Sequence, residues 1–428
     1  MRTTLLLIAI VAVTLALKGG RQGLKSVVDK ARPLPRGVTQ HYGYINVNTD
    51  YDANLFYWMF ESQSNPKNAP TVLWMTGGPG CSSELALFFE NGPYTVANNG
   101  SLLPNPYSWN KFANLLFIDQ PVGTGFSYAN EDYVTNEQQV GVEMFTFLTK
   151  FFAKYPQYSK NDFYIVGESY GGHYVPSVAY KLVKEAQAGN FNVPFKGIGL
   201  GNGWVDPYHQ YPGYGKFGYE NGLIDANTWA QLNQTAQQCQ QDIQNEDWDN
   251  ANYDCNSIMG AIAGSLNVYN IKLQCDPPPL CYDFSDITNY LNTAAVQAKL
   301  GVKVSDWEPC SDDVNGMFGV DRLESFAYEL PLLLESNIRV VVYNGDLDLI
   351  CNWVGGHMWV NALKWSGQKA FQKAEVKTWS VDGQEAGTVQ SSGLLDFVRV
   401  YQAGHMVPHD QPKNALALLK NIVTGSQF

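Results

Sequence analysis

The chain has 428 residues, 45% of them apolar, 13% aromatic and 16% charged, a balance that excludes a disordered polypeptide and supplies a large core. Forty acidic against 28 basic residues leave a net charge of −12, which disfavours nucleic acid or an anionic membrane surface as partner and suits an acidic lumen.

Met1-Arg2 followed by the apolar run from Leu5 to Leu17 has the charged start and short apolar centre of a secretory signal over residues 1–17. It is too short to span a bilayer comfortably, and no other segment is apolar for long enough, so the mature protein is expected to be soluble. Residues 18–37 carry Lys18, Arg21, Lys25, Lys30, Arg32 and Arg36 against Asp29 alone; they read as a removable propeptide or a flexible N-terminus. The final Gly425-Ser426-Gln427-Phe428 is not a Lys-Asp-Glu-Leu retention signal, and the destination stays open between vacuole or lysosome and the outside of the cell.

Strand-like runs at 71–75, 114–118, 162–166, 197–200, 338–343 and 397–401 alternate with helical periodicity, as in Val140, Met144, Phe147, Leu148 and Phe151. That alternation predicts a mostly parallel sheet with helices on both faces. Between residues 205 and 325 the texture changes: a Gln-rich Gln231–Gln244, Pro277-Pro278-Pro279, and Cys239, Cys255, Cys275 and Cys281, without regular strand signals. This stretch reads as a cap inserted between core segments 38–204 and 326–428. After the first run, the glycines of Thr76-Gly77-Gly78-Pro79-Gly80 remove side chains so that a backbone amide can approach a reacting carbonyl, half of an oxyanion hole. A phosphate cradle is disfavoured because no Lys-Ser or Lys-Thr follows.

The apolar run Phe163–Val166 ends in Gly167-Glu168-Ser169-Tyr170-Gly171 and continues into a helical pattern. This is the arrangement of a nucleophile elbow, in which two glycines permit a sharp strand-to-helix turn with the serine exposed at the bend. A hydroxyl is a weak nucleophile at neutral pH, so Ser169 needs an imidazole to take its proton and a carboxylate to orient that imidazole. In sheet hydrolases both follow the serine, acid first. His405, after the strand-like 397–401 and a Gln-Ala-Gly turn, fits better than His357, which opens a helix, or His409, which reads as a solvated loop histidine. For the acid, Asp346 and Asp348 both lie in the turn after Ile338–Tyr343, and position alone does not choose between them. Asp312 and Asp313 have no strand before them and read as loop charges. The amide of Tyr170, the residue after the nucleophile, is the second oxyanion donor.

With these blocks in order the chain resembles the serine carboxypeptidase family of the α/β-hydrolase fold over most of its length. The resemblance rests on Trp74–Ser83, Glu90-Asn91-Gly92-Pro93, Asp119-Gln120-Pro121 with Gly125-Phe126-Ser127-Tyr128, Gly167–Gly172, Asn344–Asp348 with Ile350-Cys351-Asn352, and Gly404–Pro408. It implies Asp348 as the acid, His405 as the base and Gly78 as the first oxyanion donor. It further implies that Glu90 and Glu168, with Trp74, Thr76 and Gly77, bind the free C-terminal carboxylate of a peptide, and that Met406 walls the pocket of the departing residue. Thr76 departs from the family's commoner asparagine; its hydroxyl also donates, at shorter reach. A carboxyl group holds an anion only while protonated, so Glu90 and Glu168 are expected to have raised pKa values and the activity an acid optimum.

Family positions pair Cys81 with Cys310, Cys239 with Cys255 and Cys275 with Cys281, leaving Cys351 as a free thiol near the site. Asn99 and Asn233 head glycosylation tripeptides. The cysteine spacings are irregular and without a nearby histidine pair, so no metal is expected, and the chemistry calls for no cofactor. Expected partners are peptides with a free C-terminus, acting on a monomer or homodimer. The same motifs also serve acyltransferases, in which an alcohol intercepts the acyl-serine, and a non-catalytic scaffold would retain the fold alone.

Overall fold

The computed structural model describes residues 37–131 and 134–428; the signal over 1–17 and almost all of the basic segment lie outside them. Ten strands form one sheet. Its centre is six parallel neighbours, in the order Asn114–Ile118, Thr71–Met75, Phe163–Glu168, Phe195–Gly201, Arg339–Gly345 and Leu395–Val400. The antiparallel pair Gln40–Asn48 and Ala53–Phe60 extends one edge, and Gln384–Ser392 with Val376–Val381 the other.

The central strands are continuously apolar because both their faces are covered. In Thr71–Met75, Leu73 and Met75 enter one core layer while Val72 and Trp74 enter the opposite one; Val340 and Val342 alternate in the same way with Val341 and Tyr343. The first layer is closed by helices Glu137–Lys154 and Gly171–Gln187, and the second by helices Ser83–Phe89 and Pro412–Thr424. In Glu137–Lys154 the apolar stripe of Val140, Met144, Phe147, Leu148 and Phe151 is buried, and Asn136 caps its start by accepting from Gln139 N at 3.1 Å.

Between strands Phe195–Gly201 and Arg339–Gly345 the named elements are all helical, among them Pro207–Glu220, Ala226–Gln244 and Trp248–Ala263. The last two are joined by Cys239–Cys255. Asp312 and Asp313 are not loop charges: they form the first turn of helix Asp312–Met317, where Ser311 caps and negative charge complements the helix dipole. Cys81–Cys310 ties this region to the glycine-rich loop, and Cys275–Cys281 closes a small loop. Among the described residues no helix is long and apolar enough to cross a membrane.

Candidate active site

Ser169 sits where strand Phe163–Glu168 turns into helix Gly171–Gln187, with φ 62°, a left-handed backbone uncommon outside glycine. The two flanking glycines make that turn possible. A Cβ at Gly167 would lie 2.6 Å from Val175 Cγ2 and 2.9 Å from Met75 O, and one at Gly171 would lie 2.8 Å from the same carbonyl. The bend is held by Trp204 N donating to Ser169 O at 2.8 Å and Ser169 N donating to Gly201 O at 3.1 Å.

His405 and Asp348 arrive on loops after two other parallel strands. His405 Nδ1 lies 2.8 Å from Asp348 Oδ2, and both side chains are buried. With the carboxylate accepting, the proton sits on Nδ1 and Nε2 is left as the base. Nε2 is buried and makes no hydrogen bond, so the link from Ser169 Oγ is not closed in this structure. Such links are often long or misaligned before substrate binds. Asp348 Oδ2 also accepts from Asn202 Nδ2 at 2.7 Å and from Cys351 N at 3.2 Å. Asp346, by contrast, accepts from Gln402 N at 2.8 Å and pairs with Arg399 at 3.5 Å, a structural post at the base of the histidine loop. His357 bonds Gln390 at 2.8 Å, and His409 stacks on Phe89 at 3.9 Å. Neither replaces His405 at Asp348.

The glycine loop is pressed against the elbow. A Cβ on Gly77 would strike Tyr170 N and come within 2.7 Å of Glu168 O and 2.8 Å of Ser169 Cβ, which explains glycine there. Gly78, at φ 113°, is exposed and lines the same cavity as Ser169 and Tyr170. Gly78 and Tyr170 therefore both border the space beside the serine. The Tyr170 hydroxyl reaches away from it to donate to Asp321 Oδ1 at 2.5 Å.

Glu168 precedes the serine, and Glu90 ends helix Ser83–Phe89 as its C-cap; they are 4% and 6% exposed. The two carboxyl groups lie close enough for each to act on the other's protonation. Taken as two carboxylates, Glu90 Oε2 and Glu168 Oε2 would both be buried acceptors without a donor. One proton between them removes that cost. Burial pushes Glu90 up to about 8, with the nearby Asp410 charge adding to it and Glu168 opposing. Burial first, then the charge of Glu90, lifts Glu168 well above its ordinary 4.5. Trp74 Nε1 donates to Thr76 Oγ1 at 2.9 Å, which fixes the threonine oxygen as acceptor and leaves its proton to be donated elsewhere. Met406 follows His405 half-buried and is not among the residues lining the Ser169 cavity.

Cys351 is unpaired and buried, and its sulfur, an Asp348 oxygen and a His405 ring nitrogen lie within 4.8 Å of one another. Burial, with Asp348 second, pushes the thiol well above its ordinary value, so it stays protonated. Asn99 is exposed in a turn, whereas Asn233 is half-buried within helix Ala226–Gln244. Asn202, Asp410 and Arg322 escaped the sequence reading. Asn202 directly follows strand Phe195–Gly201, and a polar residue at the C-terminal end of a central parallel strand is a signal that was available.

The serine carboxypeptidase profile matches residues 32–425. Serine carboxypeptidase-like 48 of Arabidopsis thaliana is 43% identical over 424 residues, covering 94% of this chain and 82% of that one. Serine carboxypeptidase S10 family member 1 of Dictyostelium discoideum is 41% identical over 405 residues, covering 93% and 96%. The crystal structure of Kex1(delta)p, a prohormone-processing carboxypeptidase from Saccharomyces cerevisiae, superposes with a TM-score of 0.81 at 30% identity, covering 90% of this chain and 91% of the other. An elbow serine, a buried His–Asp pair and a glycine loop on a hydrolase sheet, together with these matches, lead to one assignment: the chain belongs to the serine carboxypeptidase family.

Proposed function

We propose that the protein removes single amino acids from the free C-termini of peptides at acid pH, with Ser169, His405 and Asp348 as the catalytic residues. Ser169 Oγ attacks the last peptide carbonyl as His405 Nε2 takes its proton, while Asp348 steadies the imidazolium. The amides of Gly78 and Tyr170 hold the negative oxygen. His405 then returns the proton to the departing amine, so the C-terminal amino acid leaves and an acyl-serine remains. Water, activated by the same imidazole, releases the shortened peptide and restores the serine.

The observation that carries the exopeptidase reading is the buried Glu90–Glu168 pair beside the nucleophile. A carboxyl pair with one proton can donate to a substrate carboxylate, aided by Thr76, Trp74 and the Gly77 amide; two bare carboxylates would repel it. A small ester donor of an acyltransferase has no such carboxylate, so this pair gives that alternative no support. Met406, next to His405, is the proposed neighbour of the departing side chain.

Three disulfides fit an oxidising compartment, and the proposed route is secretory, ending in an acidic vacuole or lysosome or outside the cell. The helical region over 205–325 is proposed as a cap that shapes side-chain preference, and Asn99 is the better placed glycosylation acceptor. The test is release of the free C-terminal amino acid from an N-blocked dipeptide, with and without a serine-directed organophosphate. Release in the untreated sample alone supports the proposal; equal release in both defeats it.

A further inference from the structure

A cavity of about 230 Å³ opens beside Ser169, bordered on the core side by Gly78 and Tyr170. None of Trp74, Thr76, Glu90 or Glu168 lines it, so it lies apart from the carboxyl pair. The cavity thus adjoins the serine but not the carboxyl pair, the place that a penultimate side chain would take in a peptide whose C-terminal carboxylate rests on that pair. The helical region contributes Tyr211, Tyr214, Asn256, Met259, Asn315 and Arg322 to its lining. Among the described residues that line it, Arg322 alone carries a charge.

Among the described residues no carboxylate forms an ion pair with that arginine, and the arginine ion pairs are those of Arg339 and Arg399. Its chain neighbour Asp321 is turned away, accepting from the Tyr170 hydroxyl and from Glu137 N. The guanidinium is nonetheless held in place: Nη2 donates to Asn315 Oδ1 at 2.9 Å and to Asn315 O at 3.4 Å. Asn315 in turn donates to Pro79 O at 3.2 Å, against the glycine loop. A half-buried, oriented guanidinium with donors to spare, facing a partly enclosed space, matches a planar carboxylate better than any neutral or cationic group. On the overall charge of −12 it is a local reversal of sign.

Building on the carboxypeptidase reading above, we infer that Arg322 is a specificity-determining residue that selects peptides with an acidic side chain at the penultimate position. The glutamate or aspartate carboxylate pairs with the guanidinium while the carbonyl of that same residue is attacked.

The experiment compares N-blocked dipeptides ending in Phe, with Glu, Gln, Ala or Lys before it, on the full processed protein near pH 5.5, where a free glutamate is ionised. The expected kcat/KM for Glu exceeds that for its isostere Gln on the order of tenfold, as a hydrogen bond to a charged group warrants, and Lys is the poorest substrate. Added salt should shrink the Glu/Gln ratio. Arg322→Gln should bring that ratio to about one while changing turnover of the Gln peptide little, and Arg322→Lys should restore part of it. A wild-type ratio near one with all four peptides cleaved overturns the inference and leaves the carboxypeptidase reading standing. So does an Arg322→Gln enzyme slowed equally on every peptide, which would mark the arginine as a brace for Asn315 and the glycine loop. Release of no amino acid from any peptide overturns both. Should Arg322→Gln fail to fold, the wild-type ratio and its salt dependence decide.

Discussion

Asn202 Nδ2 donates to Asp348 Oδ2 at 2.7 Å, onto the oxygen that also faces His405 Nδ1 at 2.8 Å. The carboxylate is thereby oriented from the strand beside the elbow, while Asn202 Oδ1 accepts from Gly345 N at 3.1 Å and ties the acid loop to the same post. An Asp348→Asn enzyme keeps the shape but loses the charge that steadies the imidazolium, and its NH2, where it faces the ring, holds the ring's proton on the wrong nitrogen. We expect kcat to fall by roughly 10⁴ with the melting temperature little changed, as for the equivalent exchange in other triads. A loss below about tenfold would remove Asp348 from the mechanism.

The carboxyl pair sets a pH limit whose sign is fixed by the direction of its shifts. Burial holds Glu90 up to about 8 and Glu168 well above its ordinary range, whereas in the unfolded chain both titrate near about 4.3. The folded state binds more protons above that value, so the pair's stabilisation is complete below it and drains as pH rises toward about 8. KM for a dipeptide should rise over the same interval because the bound carboxylate loses its donor. Glu168→Gln, neutral at all pH, should show a flatter melting temperature between about pH 5 and 8 than the wild type. A wild-type KM and melting temperature constant across that interval would contradict the shared proton.

Gly77 offers a way to move a backbone donor that no change of its own side chain can remove. Its missing Cβ is replaced in space by the Tyr170 amide and the Ser169 Cβ. Gly77→Ala should displace that amide from the developing oxyanion and lower kcat by about 10²–10³. An alanine enzyme with full kcat would place the oxyanion elsewhere.

Cys81–Cys310 closes a loop with a sequence separation of 229 and joins the glycine loop to the helical region. On the chain-entropy account a loop of that size contributes roughly 5 kcal/mol, so the double Cys→Ser variant should melt well below the wild type. Removing Cys275–Cys281, with a separation of 6, should cost clearly less. Equal losses for the two would count against the loop-size account.

The parallel centre of the sheet was legible because strands buried on both faces are apolar throughout, and the elbow because its glycines are demanded by close backbone contacts. The antiparallel strand Gln384–Ser392 was not, since it mixes polar and small residues without an apolar run, although both its partners, Val376–Val381 and Leu395–Val400, adjoin it in sequence. Asp346 and Asp348 are two residues apart in one turn. Their roles separate only in three dimensions, where one meets Arg399 and the other His405. Asp410 escaped for a similar reason: its carboxylate accepts from Gly404 N at 2.6 Å and raises the pKa of Glu90 and Glu168, a through-space effect. Arg322 is an ordinary basic residue until the fold sets it in the wall of the Ser169 cavity, held by Asn315 and, among the described residues, outside any ion pair.

The most direct test of the account compares an N-blocked dipeptide bearing a free C-terminal carboxylate with its C-terminal amide near about pH 5, for the wild type and for Ser169→Ala. The free acid should be cleaved far faster than the amide by the wild type, and Ser169→Ala should lose roughly 10⁶ in kcat while still binding peptide. Comparable rates on acid and amide, or an alanine variant that retains activity, would contradict it.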